Sequence, residues 1–476
     1  MSRRGATEGR LQVEQVVPAA ARTILSLRDV GYDLPQAVAD LVDNSVAAGA
    51  TTVSIDLRFE GPRSWIRIAD NGHGMDAATL TESFRYGSDR NYEADDLGKF
   101  GFGLKSASTS QCRRIVVASR RALQRARVEV RALDLDHIER TNRWEILVVG
   151  PADRPAHLVE PLKDTTGTVV LWENLDRILE YKDPSGGWAK RRLIEHADAV
   201  AMHLSMVFHR FLAGDAPGRK LRIFVNEAEI EPWDPFCRNE PATIALPVRD
   251  LPIISDGGKG IVHVSPFVLP DKSEFSDTSA WKRAGGPLRW NRQQGLYIYR
   301  ANRLIQWGGW NRLRTIDEHT KLARIAVDFS PVLDAAFGIN ISKAVVNLPA
   351  VLREQLSPVV DHVVQAANTH YRKETKKSRN PVVKQSSKTT VPAWSRIVKD
   401  TRGTIKFADT VDSSEKMQSV TDQMGTDLTR RMSVADPAAR RAIEAAAIVV
   451  GEQEALERIV ASLRKTAPEV ARDLGW

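Results

Sequence analysis

The chain has 476 residues, 42% of them hydrophobic, and 68 Lys plus Arg against 60 Asp plus Glu give a formal net charge of +8. That length predicts about two to four domains with a real apolar core, and the basic balance suits an acidic partner such as nucleic acid without requiring one. Two distant cysteines, Cys112 and Cys237, argue against structural zinc and for a reducing, cytoplasmic setting; no run approaches about 18 apolar residues and MSRRGATEGR lacks an apolar signal core, so neither a membrane span nor secretion is expected.

Taken in chain order, residues 16–29 and 34–49 read as helices. The second starts after Asp33 as N-cap, with Pro35 in its first turn, and ends near Gly49. Alternation predicts strands at 51–59 and 65–69, then a short helix at 76–85. Residues 87–98 are polar and acidic without an apolar period and read as a loop. A helix is expected at 103–111, strands at 113–119, 125–133, 144–149 and 167–172, and a helix at 189–212. Strands and helices in this order predict an α+β layered sandwich rather than alternating βαβ units.

From about residue 214 a second α/β unit is expected, with strands at 220–226, 260–268, 295–300 and 324–329 and a helix at 349–371. Residues 372–388 hold seven Lys or Arg against Glu374 alone, among Ser, Thr, Asn and Pro, and read as a flexible basic linker. Beyond it, Asp436-Pro437 opens an Ala-rich helix, and Leu456, Ile459, Val460 and Leu463 have helical spacing. The resulting division is 1–213, 214–371, a linker at 372–395 and a helical region at 396–476.

Three short motifs carry chemistry. In Asp40-Leu-Val-Asp-Asn44, Asp40 and Asn44 are four apart and share a helix face, and an Asn oxygen is a hard ligand suited to Mg²⁺. Asp70-Asn-Gly-His-Gly74 places a carboxylate after an apolar strand, where glycines let the backbone approach a flat ligand, although Asp-Asn-Gly is also a common turn. Gly98-Lys-Phe-Gly-Phe-Gly-Leu-Lys-Ser106 is a glycine-rich loop running into a helix, a ready anion site. Each motif alone is weak; a solvated helix position, a hairpin turn and an ordinary loop would account for them one at a time.

Together they resemble the GHKL ATPases (gyrase, heat-shock chaperone, histidine kinase and MutL), most closely the MORC-like branch. The resemblance covers about residues 16–370. It implies the GHKL (Bergerat) ATP-binding sandwich, then a transducer-like α/β domain, with ATP and Mg²⁺ as ligands. Asn44 then holds Mg²⁺, and Asp40 stands where relatives usually have the Glu that activates water. Asp is one methylene shorter, so the site either hydrolyses slowly, the reading favoured, or uses ATP as a binding switch. Asp70 reads the adenine amino group, Gly74 lines the pocket and Met75 packs on the base. Gly98, Lys99, Phe100, Gly101, Phe102, Gly103, Leu104 and Lys105 surround the phosphates, and 87–98 is the lid. Gly167-Thr168 resembles the last motif, in which the Thr168 hydroxyl and a water bridge to Asp70. Residues 294–305 resemble the transducer's strand–turn–strand, and Lys343 is the candidate γ-phosphate sensor.

The resemblance further implies an ATP-dependent homodimer whose arm before residue 20 swaps onto the partner. Such a cycle makes a gate or clamp, with the basic linker pointing to double-stranded DNA and the C-terminal helices to a protein partner. The lack of organelle signals and the Asp-containing first motif suggest a bacterial protein, and a role in antiphage defence follows by analogy only. The alternative is a non-catalytic scaffold or regulator that uses ATP as a conformational ligand. A histidine kinase is disfavoured, because no His precedes the first motif.

Overall fold

The computed structural model describes residues 18–29, 31–86, 103–121, 127–180, 183–218, 220–255, 258–339 and 346–379, with 460, 461 and 464. The chain divides into two units, Met1–Ile405 and Lys406–Trp476, and every described helix and strand up to Arg379 belongs to the first. The first part of the expected flexible linker, 372–379, is instead the end of a helix that runs on from 350, its side chains outside the described residues; the rest of the linker and, apart from 460, 461 and 464, the expected C-terminal helices lie outside them too.

Helices α1 (Ala20–Arg28) and α2 (Leu34–Ala47) come first, then the antiparallel strands β1 (Thr52–Arg58) and β2 (Trp65–Asp70). The Asp33 carboxylate accepts the Gln36 N–H at 2.7 Å and Pro35 sits in the first turn, which is why α2 starts there. Next are α3 (Ala77–Ser83), α4 (Gly103–Thr109), β3 (Arg114–Arg120), β4 (Glu129–Asp134), α5 (Leu135–Thr141), β5 (Leu147–Val148), α6 (Ala156–Val159) and β6 (Gly167–Glu173). The long α7 (Gly187–Val207) and short α8 (His209–Ala213) lead to β7 (Arg222–Val225) and β8 (Ala228–Glu229).

These strands form one eight-stranded sheet in the order β5-β4-β3-β6-β2-β1-β7-β8. Its two faces are read off the period of two. In β6, Val170 and Trp172 join the large core under α1, α2 and α7, while Val169 and Leu171 join a smaller core with Leu158 and Leu162. The stretch 220–226, expected to open the second unit, instead extends this sheet, because β7 pairs in parallel with β1.

The second sheet is built from β9 (Ile244–Ala245), β10 (Arg249–Ser255), β11 (Gly258–Val268), β12 (Gly295–Arg300), β13 (Arg303–Trp307) and β14 (Ala323–Phe329), with α9 (Thr278–Ala284) and α10 (Arg289–Gln293) between β11 and β12. Strand β10 was not expected; Pro252 speaks against a central strand, and β10 is an edge strand paired only with β11. Helix α11 (Ala350–Arg379) lays Leu352, Leu356, Val360 and Val363 against this sheet's core.

Candidate nucleotide site

Three elements of the first sheet converge. Ser45 on α2 reaches the end of β2, its hydroxyl 3.1 Å from Asp70 Oδ2. The first residue of α4 lies beside α2, since a Cβ at Gly103 would sit 3.9 Å from the Asp40 Cβ. Asp40, Asp70 and Gly103, singled out far apart in the sequence, therefore border one region of the fold.

Asp70 is held by three donors, Ser45 on Oδ2 and two backbone groups on Oδ1. Its Oδ1 accepts the backbone N–H of Gly72 at 2.9 Å and of Thr168 at 3.2 Å. Burial raises its pKa, and the donors from Gly72, Ser45 and Thr168 pull the other way. Two positions beside it, one in the turn that follows and one at the start of β6, tolerate only glycine. At Gly74, φ is +64° and a Cβ would lie 2.1 Å from the Arg120 carbonyl oxygen; at Gly167, φ is +141° and a Cβ would lie 1.9 Å from the Asp70 carbonyl oxygen. Ser119 on β3 ties this turn together. Its hydroxyl accepts the Met75 N–H at 2.7 Å and lies 3.0 Å from the Gly167 carbonyl and 2.9 Å from the Thr168 hydroxyl. Met75 is half-buried against the main core.

On α2, Asn44 is exposed while Asp40 and Asp43 are buried, at 4% and 1% exposure. The Tyr32 hydroxyl donates to Asp40 Oδ2 at 2.9 Å, and Arg303 Nη2 donates to Oδ1 at 3.2 Å. Arg303 Nε forms an ion pair with Asp43 Oδ1 at 2.8 Å. Burial and the Asp40 charge push the Tyr32 phenol far above its ordinary range, so it stays protonated and remains a donor.

Lys105 is buried at 1% exposure, and its ammonium donates to the carbonyls of Ser83 (3.0 Å) and Arg85 (2.7 Å), capping the end of α3. Burial lowers its pKa to about 8. The expected phosphate neighbour is thus turned toward the residues that precede 87–98. Of the glycine loop, Gly103 and Leu104 are described; Gly98, Lys99, Phe100, Gly101, Phe102 and the candidate sensor Lys343 lie outside the described residues.

Four contributors escaped the sequence reading: Tyr32, Ser45, Ser119 and Arg303. Ser45 adjoins Asn44 and Tyr32 adjoins the Asp33 cap, so proximity was a usable signal for both. Ser119 and Arg303 are distant in sequence and only pairing brings them in. Among the described residues no group of three or more His, Cys, Asp or Glu could hold a metal ion, and no helix is long and apolar enough to cross a membrane.

Comparison with known proteins agrees with this geometry. Residues 32–168 match the family model described as Histidine kinase-, DNA gyrase B-, and HSP90-like ATPase. The DNA mismatch repair protein MutL of Actinobacillus succinogenes is 30% identical over 166 residues, 34% of this chain and 23% of that one. MutL of Thermosipho africanus is 36% identical over 97 residues, 19% of this chain and 17% of its own length. MutL of Xylella fastidiosa is 41% identical over 90 residues, 18% of this chain and 14% of its own. The chain spans less than a quarter of the length of these relatives. A solved N-terminal domain of a DNA repair protein overlays with a TM-score of 0.44 and 14% identity, over 74% of this chain and 98% of that one. The matched segment, with its mixed sheet, helical layer and converging motifs, is similar to the ATPase domains of the GHKL superfamily.

Proposed function

We propose that the chain binds ATP with Mg²⁺ and hydrolyses it slowly, as a MORC-like enzyme that dimerises on the nucleotide and acts as a gate or clamp on DNA. The observation that carries the reading is Asp70, a desolvated carboxylate fixed by Ser45, Gly72 and Thr168 beside the helix that bears Asp40 and Asn44. A carboxylate so held is an acceptor in a set position, suited to an adenine amino group, and Gly74 keeps the approach open. The donor chemistry of Asn44 fits Mg²⁺, which takes few protein ligands beside phosphates and water and would neutralise phosphate charge. Asp40 accepts the proton of the attacking water. Tyr32 and Arg303 hold its two oxygens in place.

Within this reading the ATP-binding domain runs on through β8, the transducer-like domain that carries Lys343 toward the γ-phosphate follows and ends in α11, the basic linker on DNA continues from that helix to 395, and 396–476 is a region for a protein partner. The DNA assignment draws support from relatives named as DNA mismatch repair proteins and from the basic composition of 372–388. Antiphage defence stays an analogy to the MORC-like branch.

The test is ATP turnover with and without double-stranded DNA, in the wild type, Asp40→Asn and Asn44→Ala. Turnover that both substitutions abolish and that DNA alters is the expected result. A second reading, an ATP-switched scaffold, is favoured by the engagement of both Asp40 oxygens. It predicts nucleotide binding without turnover and no effect of Asp40→Asn.

A further inference from the structure

We propose that Arg303 is the positioning residue for Asp40: a guanidinium from the second sheet bridges Asp40 and Asp43 and sets where the Asp40 carboxylate points. The inference rests on the reading of Asp40 as the proton acceptor given above.

The hairpin explains how an arginine so distant in sequence arrives there. Strands β12 and β13 are joined by Ala301 and Asn302, with φ of +46° and +67°. Paired positive φ values mark the tight turn whose twist matches the strands it joins. Arg303 is the first residue after that turn and is 5% exposed. Its Nη2 donates to Asp40 Oδ1 at 3.2 Å and its Nε lies 2.8 Å from Asp43 Oδ1. Arg300, on the other limb, donates to both oxygens of Asp334, at 2.7 and 2.8 Å. The hairpin is thereby anchored on one side and presents one cation on the other.

The surroundings make that cation hard to replace. Two carboxylates three residues apart on one helix, both almost wholly buried, repel each other unless a charge lies between them. Arg303 supplies it: its guanidinium donates to Asp40 through Nη2 and ion-pairs with Asp43 at Nε, a planar spread of charge that a lysine ammonium cannot reproduce. The guanidinium also lies 5.9 Å from the centre of the Phe208 ring. Its charge, after burial, helps hold the nearby His203 down at a pKa of about 3, so the imidazole is neutral and does not compete for the carboxylates. With Tyr32 on Oδ2 and Arg303 on Oδ1, the rotation of the Asp40 carboxyl is set from two sides. One of those sides belongs to the second sheet, so a small displacement of the hairpin re-aims the base.

The experiment compares wild type, Asp40→Asn, Arg303→Lys and the double variant Asp40→Asn/Arg303→Lys, measuring kcat, KM, ATP affinity and melting temperature. Arg303→Lys is expected to lower kcat about 10- to 100-fold, the penalty of a misplacement near 1 Å. ATP affinity should stay within about threefold, and the double variant should be no slower than Asp40→Asn. Should Arg303→Lys not fold, Arg303→Gln/Asp43→Asn keeps the trio's net charge at −1 and is expected to show the same loss of kcat. Asp40-dependent turnover that a folded Arg303 variant leaves unchanged overturns this proposal alone. So does a fall that appears equally in the Asp40→Asn background. Turnover indifferent to Asp40→Asn overturns the reading of the base and this proposal with it.

Discussion

Replacing Asp70 with Asn separates base recognition from folding. The amide oxygen can take the place of Oδ1 and go on accepting the N–H groups of Gly72 and Thr168, at 2.9 and 3.2 Å. The amide nitrogen then stands where Oδ2 was, 3.1 Å from the Ser45 hydroxyl, and donates to it, while Ser45 donates to the Leu41 carbonyl at 3.2 Å. All three contacts persist and a desolvated charge is removed, so stability should change by less than about 1 kcal/mol. The effect on an adenine amino group is the reverse. A charged acceptor becomes a donor facing a donor, and the hydrogen bond lost is worth about 1.5–3 kcal/mol, or about 10- to 150-fold in affinity. Calorimetric titration of ATP and ADP into both proteins, beside thermal melting, measures the two quantities separately. Unchanged affinity with an unchanged melting temperature would refute the role assigned to Asp70. A large drop in melting temperature would show instead that the carboxylate serves the fold.

Gly167→Ala places a methyl 1.9 Å from the Asp70 carbonyl oxygen at φ +141°; a loss of about 3 kcal/mol or more in urea unfolding is expected, with weakened nucleotide binding because β6 and β2 must part beside Asp70. Arg28 is 4% exposed and holds Asp176 through Nη2 at 2.7 and 2.9 Å and the Thr109 carbonyl at the end of α4 through Nε at 2.8 Å. Arg28→Met should cost about 1–3 kcal/mol, read by urea titration, because α4 loses its buried cap and Asp176 keeps only Arg113, at 4.0 Å. His209 is 1% exposed beside the Tyr299 hydroxyl at 2.8 Å, and burial keeps its pKa well below the imidazole range. The unfolded chain takes up that proton below about pH 6.5 and the folded chain does not, so the stability is present above that pH and is lost as pH falls. At pH 5 the loss should approach about 2 kcal/mol for this residue, and His209→Gln should flatten the dependence in denaturation at pH 7.5 and 5.

The local part of this protein was legible in the chain itself. Asp33 and Pro35 set the start of α2, the alternation in 51–59 and 65–69 set β1 and β2, and the glycines after Asp70 marked a turn that no side chain fits. These features arise from backbone sterics, capping and periodicity, which act over a few residues. The three motifs could be placed on a helix, a strand end and a loop for the same reason. Their convergence was inferred from resemblance, and the fold supplies the contacts behind it: the Ser45–Asp70 hydrogen bond and the approach of Gly103 to Asp40.

Partner choice was not legible. Nothing in 220–226 says that it pairs in parallel with β1 rather than opening a new sheet, and Pro252 disguised an edge strand. Asp40 and Asn44 were expected to share a helix face; Asn44 is exposed, whereas Asp40 is buried beside an arginine 263 residues away that neutralises it. Lys105 looks in sequence like a free cation beside a glycine loop; the fold turns it onto the carbonyls of Ser83 and Arg85. Secondary structure is set by interactions between near neighbours, which a sequence displays directly. The surroundings of a buried charge are set by which distant strands and helices meet, and only the tertiary structure decides that.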